Sequence, residues 1–329
     1  MALVNMLAAA GSAASDPNAD FSALLDTVLG DDVAYFPVRE IEGVVVPYRL
    51  YETIDLDGRG ARVICDDQAV LRGVLGQPIF VSNRANRRTR ISGGRWEQGS
   101  ALLRHEAAPT LQLLRVHGVT AVGFDAAFDF VGDAIACAWR DCTFEACGSG
   151  LRFSGLANIH TVDRCRFTDG GDGISLLLRL DNRLQFAVTQ SAFVGNERGV
   201  VVDGAGQQGL SVRNCRFEDQ AAYDIYMALS GVGAWIDSVS IEDCVFAQPS
   251  STQEARIFAY EQVSFRATDC QAEVAPPSLV FARVHNSATK YKTWLERNRL
   301  RISTASTCDE ALLHKTGAGC LTTSEPLHC

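Results

Sequence analysis

The sequence predicts an all-β fold, a right-handed single-stranded parallel β-helix in which short coils stack along one axis. Two observations favour this fold. One pattern, an apolar residue followed at fixed offsets by a polar residue, Cys or Ser, and Phe, recurs at intervals of about two dozen residues. Within each copy the apolar residues alternate with other residues, as in strands with one face inward. An N-terminal capping helix and a small C-terminal module complete the predicted architecture.

The repeat is clearest in six segments that align without gaps. Their fourth positions are Cys142, Cys165, Ser191, Cys215, Cys244 and Cys270, spaced by 23, 26, 24, 29 and 26 residues. Because stacked coils place equivalent residues above one another, we expect one interior column of Cys and another of Phe. The residue before each Cys interrupts the alternation and predicts a bend. These bend residues are Asp141, Arg164, Gln190, Asn214, Asp243 and Asp269.

A second strand follows the Phe of each coil at a nearly constant offset. Most copies begin just after a Gly or Asp, and we expect the Gly to permit a positive φ at a tight corner. The middle residues of these strands point away from the interior; they are Arg152, Ser175, Val201, Tyr226 and either Ile257 or Phe258. This row predicts either a subunit interface or a surface covered by a side loop, and the sequence leaves both open.

Other repeat folds fit the pattern less well. A leucine-rich repeat would show its Leu signature, and a propeller blade needs roughly 40–50 residues. Helical repeats would show a 3.6-residue period instead of a period of two. No Pro occurs between Pro109 and Pro249. That absence is expected where nearly every backbone N–H donates to the next coil.

The chain divides into three predicted segments. Residues 1–30 form an anchor and capping helix, because the apolar residues from Phe21 to Leu29 lie on one helical face and Gly30 suits a C-cap. The apolar start has no preceding Lys or Arg, which favours a short anchoring or capping helix over a signal peptide. Residues 31–285 form the coils. Residues 286–329, which hold all three Lys, form a cap, a trimerisation segment or a docking segment.

Composition excludes some partners and indicates the folding compartment. A formal charge of −9 argues against nucleic acid, and no apolar run is long enough to insert into a membrane. Most of the eleven Cys fall inside apolar strands, which predicts buried free thiols and folding in a reducing cytoplasm. Cys308, Cys320 and Cys329 lie outside the repeats, and their state stays open.

Residues Phe21–Pro37 and Tyr51–Gly60 resemble the opening of the pectate-lyase-like β-helix superfamily, in which a capping helix leads into a strand ending in Pro and then a Gly-rich turn. With the repeats, the resemblance covers residues 21–285. One departure is the stretch after Pro37, which lacks the usual Pro-x-Gly-x-Tyr. In style the chain is most similar to bacteriophage tailspikes. That resemblance implies a homotrimer on the virion, at the tail or the capsid exterior, folded in the host cytoplasm. It also implies contacts with other virion proteins through a terminal segment, and a bacterial surface polysaccharide as ligand.

Sugar-cleaving β-helices use carboxylates on stacked coils as general acid and base. Asp172, Glu197 and Asp224 fall near one corner of successive coils, and Asp181 and Asp203 form a second set; solvated surface acids are the alternative for all five. Among the other candidates, the rings of Tyr226 and Trp235 are suited to stacking on sugars, and Arg152 and Arg179 to holding acidic glycans.

The six His show no metal-ligand spacing, and no phosphate-binding or dinucleotide loop is present, so we expect no metal and no cofactor. Three functions remain. The first is a virion spike that binds a host surface polysaccharide, with or without cleaving it. The second is a polysaccharide lyase or glycoside hydrolase that is not attached to a virion. The third is a non-catalytic structural virion protein, such as a capsid decoration or a baseplate or tail component.

Overall fold

The structure is a computed structural model that describes residues 2–29, 32–56, 61–83, 88–106, 110–155, 157–178, 185–204, 209–228, 236–260, 263–275, 278–285, 292–302, 313–316 and 321–324. The chain divides into two compact units, Met1–Arg152 and Phe153–Cys329. Both consist mainly of short parallel strands, and helix makes up about 7% of the chain. The all-β prediction is confirmed.

The chain begins with strand β1 (Leu3–Asn5), helix α1 (Met6–Ala9), a 3₁₀ helix (Gly11–Ser15) and helix α2 (Ser22–Leu29). Asp20 precedes α2, and its Oδ1 accepts hydrogen bonds from the Ser22 N–H at 2.9 Å and the Ser22 hydroxyl at 2.7 Å. The helix buries Leu25, Val28 and Leu29, so it forms where the apolar stripe predicted it. Gly30 lies outside the described residues, and the capping role of α2 stays a prediction. None of the helices among the described residues is long and apolar enough to cross a membrane.

Short strands follow α2 to the end of the first unit. They are β2 (Val33–Phe36), β3 (Glu40–Ile41), β4 (Val44–Val45), β5 (Tyr48–Arg49), β6 (Ile54–Asp55), β7 (Arg62–Cys65), β8 (Val70–Arg72), β9 (Phe80–Ser82), β10 (Arg90–Ser92), β11 (Arg95–Glu97), β12 (Leu103–His105), β13 (Leu111–Gln112), β14 (Arg115–His117), β15 (Thr120–Val122), β16 (Ala126–Phe130), β17 (Ala134–Ile135), β18 (Ala138–Arg140), β19 (Thr143–Glu145) and β20 (Ser149–Phe153).

The second unit continues with strands of the same kind. They are β21 (Ala157–Asn158), β22 (His160–Asp163), β23 (Arg166–Thr168), β24 (Asp172–Leu178), β25 (Phe186–Thr189), β26 (Ala192–Val194), β27 (Arg198–Gly204), β28 (Leu210–Arg213), β29 (Arg216–Glu218), β30 (Tyr223–Ala228), β31 (Ile236–Glu242), β32 (Val245–Ala247), β33 (Ala255–Tyr260), β34 (Val263–Thr268), β35 (Gln271–Val274), β36 (Val280–His285), β37 (Lys292–Glu296), β38 (Arg299–Ile302), β39 (Leu313–Thr316) and β40 (Leu321–Ser324).

Within each unit the chain visits three parallel sheets in turn, so that one visit to each makes one coil. In the second unit, sheet 1 is β22-β25-β28-β31-β34-β37-β40, sheet 2 is β23-β26-β29-β32-β35-β38, and sheet 3 is β24-β27-β30-β33-β36-β39. In the first unit, sheet 1 is β1-β2-β7-β10-β14-β18, sheet 2 is β5-β8-β11-β15-β19, and sheet 3 is β6-β9-β12-β16-β20. This cyclic order of parallel strands is that of a right-handed parallel β-helix, as predicted.

The interior of the second unit contains the two predicted columns. The rings of Phe167, Phe193, Phe217 and Phe246 stack with centroids 4.8, 4.8 and 5.2 Å apart and planes within 11° of parallel. The column formed by the Cys or Ser of each repeat is buried. Within it the Cys165 N–H donates to the Ser191 hydroxyl of the next coil at 3.1 Å. The described Cys residues are free and buried; they are Cys65, Cys137, Cys142, Cys147, Cys165, Cys215, Cys244 and Cys270.

A left-handed backbone residue turns each of the six repeat segments from sheet 1 into sheet 2. All six predicted bend residues have a positive φ, namely Asp141 (55°), Arg164 (51°), Gln190 (50°), Asn214 (54°), Asp243 (52°) and Asp269 (55°). A single residue in this conformation ends the sheet 1 strand and turns the chain into the sheet 2 strand that follows. The interrupted alternation in the sequence therefore marked the bends correctly.

The glycines expected at the corner before the second strand of each coil lie at the second position of the sheet 3 strands and have a different role from the expected one. Neither Gly173 nor Gly199 has a positive φ. A Cβ on Gly173 would lie 2.6 Å from the Gly199 carbonyl oxygen, and one on Gly199 would lie 2.4 Å from the Asp224 carbonyl oxygen. The expectation of positive φ is wrong for these two residues, which are glycines because neighbouring coils approach too closely for a side chain.

Parallel pairing also continues past residue 285, where the predicted coils ended. Strands β37 to β40 pair with the preceding coil, and Ala272 lies opposite Leu300 in the column of interior aromatic positions. Asn298 takes the place of Cys, and its Oδ1 accepts from the Cys270 N–H at 3.0 Å. Segment 286–329 therefore contains further coil strands at 292–302, 313–316 and 321–324. Cys308, Cys320 and Cys329 lie outside the described residues.

Candidate saccharide-binding face

The outer face of sheet 3 in the second unit carries the row of outward residues predicted from the sequence. Ser175, Val201, Tyr226, Phe258 and Arg283 lie opposite one another on consecutive strands. Phe258 belongs to this row, because its neighbour Ile257 is buried in the interior. Ser175 and Val201 are buried, whereas Tyr226, Phe258 and Arg283 are partly exposed, so only the second part of the row is open to solvent.

Five side chains of this face form the aromatic cluster: Tyr223, Tyr226, Phe258, Tyr260 and His285. The rings of Tyr226 and Phe258 are 5.3 Å apart and stacked within 4°, and Tyr260 stacks on His285 at 4.9 Å. Tyr223 packs against Tyr226 at 5.4 Å and against Phe258 at 5.0 Å. Tyr260 is 40% exposed. The cluster is therefore a partly exposed group of packed aromatic rings.

An arginine held by a carboxylate borders the cluster. Nε of Arg198 lies 2.8 Å from Oδ1 of Asp172, and its Nη2 lies 3.1 Å from Oδ2. The guanidinium also lies over the ring of Tyr226, with Cζ 5.4 Å from the ring centroid. Burial raises the pKa of Asp172, although the hydrogen bonds from Arg198 oppose that rise. The exposed carboxylate of Glu197 adds to the rise and so lies within electrostatic reach of the pair.

Asp203 lies on β27 and is half-buried, and its charge affects the pKa of one tyrosine of the cluster. Burial raises the pKa of Tyr226, and the Asp203 charge raises it further. Burial also raises the pKa of Tyr223, with the charge of Glu254 as a second cause. Both phenols therefore stay protonated at neutral pH and remain hydrogen-bond donors. Asp172 and Glu197, of the first predicted set, therefore lie within electrostatic reach of each other, whereas Asp203, of the second set, lies five residues beyond Arg198 on β27.

Asp224 lies apart from these acids, inside the coil. It has no exposed surface, and its Oδ2 accepts from Nη1 of the equally buried Arg256 at 3.1 Å. Burial raises its pKa to about 6, although the charge of Arg256 opposes that rise. A polysaccharide on the outer face cannot reach this carboxylate, which is part of the interior.

The remaining predicted site residues are not part of this face. Arg152 belongs to the first unit, where its Nε and Nη2 donate to Asp129 at 2.9 and 2.8 Å. Arg179, Asp181 and Trp235 lie outside the described residues.

Sequence reasoning missed several residues of the face. Arg198, Tyr223, Tyr260 and His285 were not candidates, although each lies within three residues of an outward position. Counting both outward columns of each sheet 3 strand would have found Tyr260, which follows Phe258 by two. Tyr223 would still have been missed, because the strand turns a corner between Tyr223 and Tyr226.

Comparison with solved structures finds the tailspike protein of E. coli bacteriophage HK620 in complex with a pentasaccharide, at 13% identity and a TM-score of 0.65. Two variants of that tailspike in complex with the pentasaccharide match at 13% identity with TM-scores of 0.67 and 0.66. In each case the match covers 94% of this chain and 62% of the tailspike chain. No protein-family profile matches the chain, and no curated protein matches it. The likeness establishes the fold: the chain is a right-handed parallel β-helix similar in structure to a phage tailspike.

Proposed function

We propose that this chain is a tailspike-like virion protein that binds a bacterial surface polysaccharide across the aromatic cluster. The observation that carries the proposal is the cluster itself, bordered by Arg198, Glu197 and Asp203. A saccharide offers apolar C–H faces and many hydroxyl groups. Its binding site therefore needs apolar and aromatic surface together with a few fixed polar groups, and this face supplies both.

The mixed character of the face favours a saccharide over a subunit contact. The core of a protein–protein interface is enriched in aromatic residues and Arg but depleted of Lys, Asp and Glu. Here the acids Asp172 and Glu254 pair with Arg198 and Arg283 beside the rings, and Glu197 is exposed. Charged groups beside stacked rings suit hydroxyl-rich ligands, which hydrogen-bond to carboxylates and guanidinium groups alike.

The comparison supports the same function, since the similar tailspike is seen with a bound pentasaccharide. The chain spans 62% of that tailspike, so the virion setting is also part of our proposal. We propose a homotrimer at the tail or capsid exterior that attaches to other virion proteins through a terminal segment and folds in the host cytoplasm. The reduced state of the eight described Cys supports folding in that compartment.

An array of bacterial O-antigens and capsular polysaccharides, followed by calorimetry on the best ligand, tests the proposal. Tyr260→Ala should weaken binding at least tenfold, corresponding to about 1.4 kcal/mol. The matched control is Tyr51→Ala, because Tyr51 is 44% exposed in the first unit and lies outside the cluster. Equal affinities for the two variants would overturn the assignment of the face. If no glycan binds, the non-catalytic structural virion protein becomes the better description.

Cleavage is a second candidate function, favoured by the carboxylates of Asp172 and Glu197 beside Arg198. The bidentate ion pair commits Asp172 to holding Arg198, which leaves the exposed Glu197 as the general acid or base. Glu197→Gln should abolish release of reducing ends while retaining binding. Asp203→Asn, five residues beyond Arg198 on β27, is the matched control and should retain release. Release that survives Glu197→Gln would rule out this role.

The mass in solution tests the proposed trimer. The chain has a mass of 35.6 kDa, and mass photometry should find a species of about three times that value. A monomeric mass at micromolar concentration would count against the spike.

A further inference from the structure

Sheet 1 of the first unit carries a column of arginines on its outer face. Arg62, Arg90 and Arg115 lie opposite one another on β7, β10 and β14. Adjacent strands are about 4.8 Å apart, so the three residues span about 10 Å along the solenoid. Arg88 lies in the same groove, which gives four positive charges on one small surface.

The column lines a groove of about 510 Å³. Its apolar walls include Ile64 and Leu113, which are 39% and 38% exposed, together with Val33. Among the residues that the structure describes, no aromatic side chain lines it. The groove therefore combines aliphatic walls with four cationic side chains.

The charges of this groove are not neutralised within the described part of the chain. None of its four arginines forms an ion pair there, although the chain has 39 acidic residues. Elsewhere in the first unit, stacked arginines share an acid: Asp129 lies 3.8 Å from Arg104 and 2.8 Å from Arg152. Like charges at opposite strand positions repel one another, so the groove carries a destabilising arrangement that an external anion would relieve.

We infer that this groove binds an acidic saccharide, with carboxylates of successive sugars on successive arginines. The guanidinium fork matches carboxylate geometry and binds it with two hydrogen bonds. Sugar rings present C–H faces that fit the aliphatic walls of the groove. Single-stranded nucleic acid fits less well, because such sites stack bases on aromatic side chains and the chain has a net charge of −9. The inference uses other residues than the proposed aromatic cluster and stands without it.

Titration calorimetry of the full chain with oligogalacturonate and with oligosialic acid tests the inference. At least one should bind, and the affinity should fall as salt is raised. Arg90→Gln and Arg115→Gln should each weaken that binding roughly tenfold, because each removes one charge-assisted hydrogen-bonding partner of the saccharide. Arg213→Gln is the matched control; its guanidinium lies on sheet 1 of the second unit, 2.7 Å from Glu242, and the affinity should stay within about twofold.

Unliganded stability provides a second readout. Arg90→Gln should leave the melting temperature of the free protein unchanged or raise it, because the substitution relieves repulsion. The inference is overturned if neither acidic saccharide binds, if a neutral maltotetraose binds equally well, or if oligo-dT binds more tightly than both. It is also overturned if Arg90→Gln and Arg213→Gln have equal effects. The glycan array with Tyr260→Ala reports separately on the proposed function.

Discussion

Arg256 and Asp224 form an ion pair in which neither side chain has any exposed surface. Nη1 of Arg256 also donates to Oε1 of Gln253 at 3.0 Å, and its Nε donates to the carbonyl oxygen of Glu273 at 3.0 Å. Nη2 of Arg256 and Oδ1 of Asp224 have no hydrogen-bond partner among the described residues. The buried Asp224 carboxylate therefore has Arg256 as its counter-ion, while Arg256 also has two neutral acceptors.

Breaking this pair should strongly destabilise the protein. Arg256→Met leaves the Asp224 carboxylate buried without its cation and should lower the free energy of unfolding by about 3–5 kcal/mol. The double variant Asp224→Leu with Arg256→Met should regain most of the loss, since it removes both charges. Equilibrium urea unfolding measures both. Arg216→Met, which removes a half-exposed partner of Glu218, is the control and should cost at most about 1 kcal/mol.

His105 should make the first unit sensitive to acid. Its ring has no exposed surface, and Nδ1 lies 2.9 Å from the Ser82 carbonyl oxygen. Burial lowers the pKa of His105 below its usual 6.5. The unfolded chain then binds this proton at a higher pH than the folded chain, so stability is lost as pH falls below about 6.5. In unfolding titrations between pH 8 and pH 5, His105→Gln should lose less stability than the parent; an equal loss would contradict this.

The Phe column should be the most sensitive part of the second unit's core. Phe217 stacks between Phe193 and Phe246, so Phe217→Ala should cost about 3–5 kcal/mol by leaving a cavity. Phe217→Leu should cost less because it fills part of the space. Phe258→Ala, on the outer face, should also cost less than Phe217→Ala. If Phe217→Ala and Phe258→Ala unfold at the same urea concentration, the stacked Phe column is not the most sensitive part of the core.

The described thiols should be inert in the folded protein. Burial raises the pKa of Cys147 to about 11 and that of Cys137 to about 12, and the reactive form of a thiol is the thiolate. A variant with Cys308, Cys320 and Cys329 changed to Ser retains only the eight buried thiols. At pH 8 a chromogenic thiol reagent should label none of them without denaturant and all eight in urea. Rapid labelling of the folded variant would show that the reagent reaches at least one buried Cys, and this would contradict the prediction.

The fold was predictable because neighbouring coils require the same residues at the same places. Phe193 stacks between Phe residues of the two neighbouring coils, so this packing appears in the sequence as a repeat of Phe at one position. The bends were visible for a similar reason, since a residue such as Gln190 interrupts the alternation at the same point in every coil. The last coils were missed because Asn298 and Leu300 fill the Cys and Phe positions with different side chains.

The site was less predictable because outward positions are not constrained by stacking. Asp224 was placed near the surface, but both Asp224 and Ile225 are buried where the strand turns the corner, so simple alternation assigns the wrong face there. The role of Arg198 depends on its contacts with Asp172 and Tyr226, which belong to two different coils. No periodic pattern records a contact of that kind.

The left-handed residue of each coil has an evolutionary consequence. Gln190 and Asn214 have φ values of 50° and 54°, so excising the 24 residues from one bend to the next would join backbones of the same shape. Such a chain can be shortened or extended by loss or duplication of whole coils without a new junction. Each outward column, the arginines of the groove included, would then change length in steps of about 4.8 Å, which lets selection match the protein to ligands of different size.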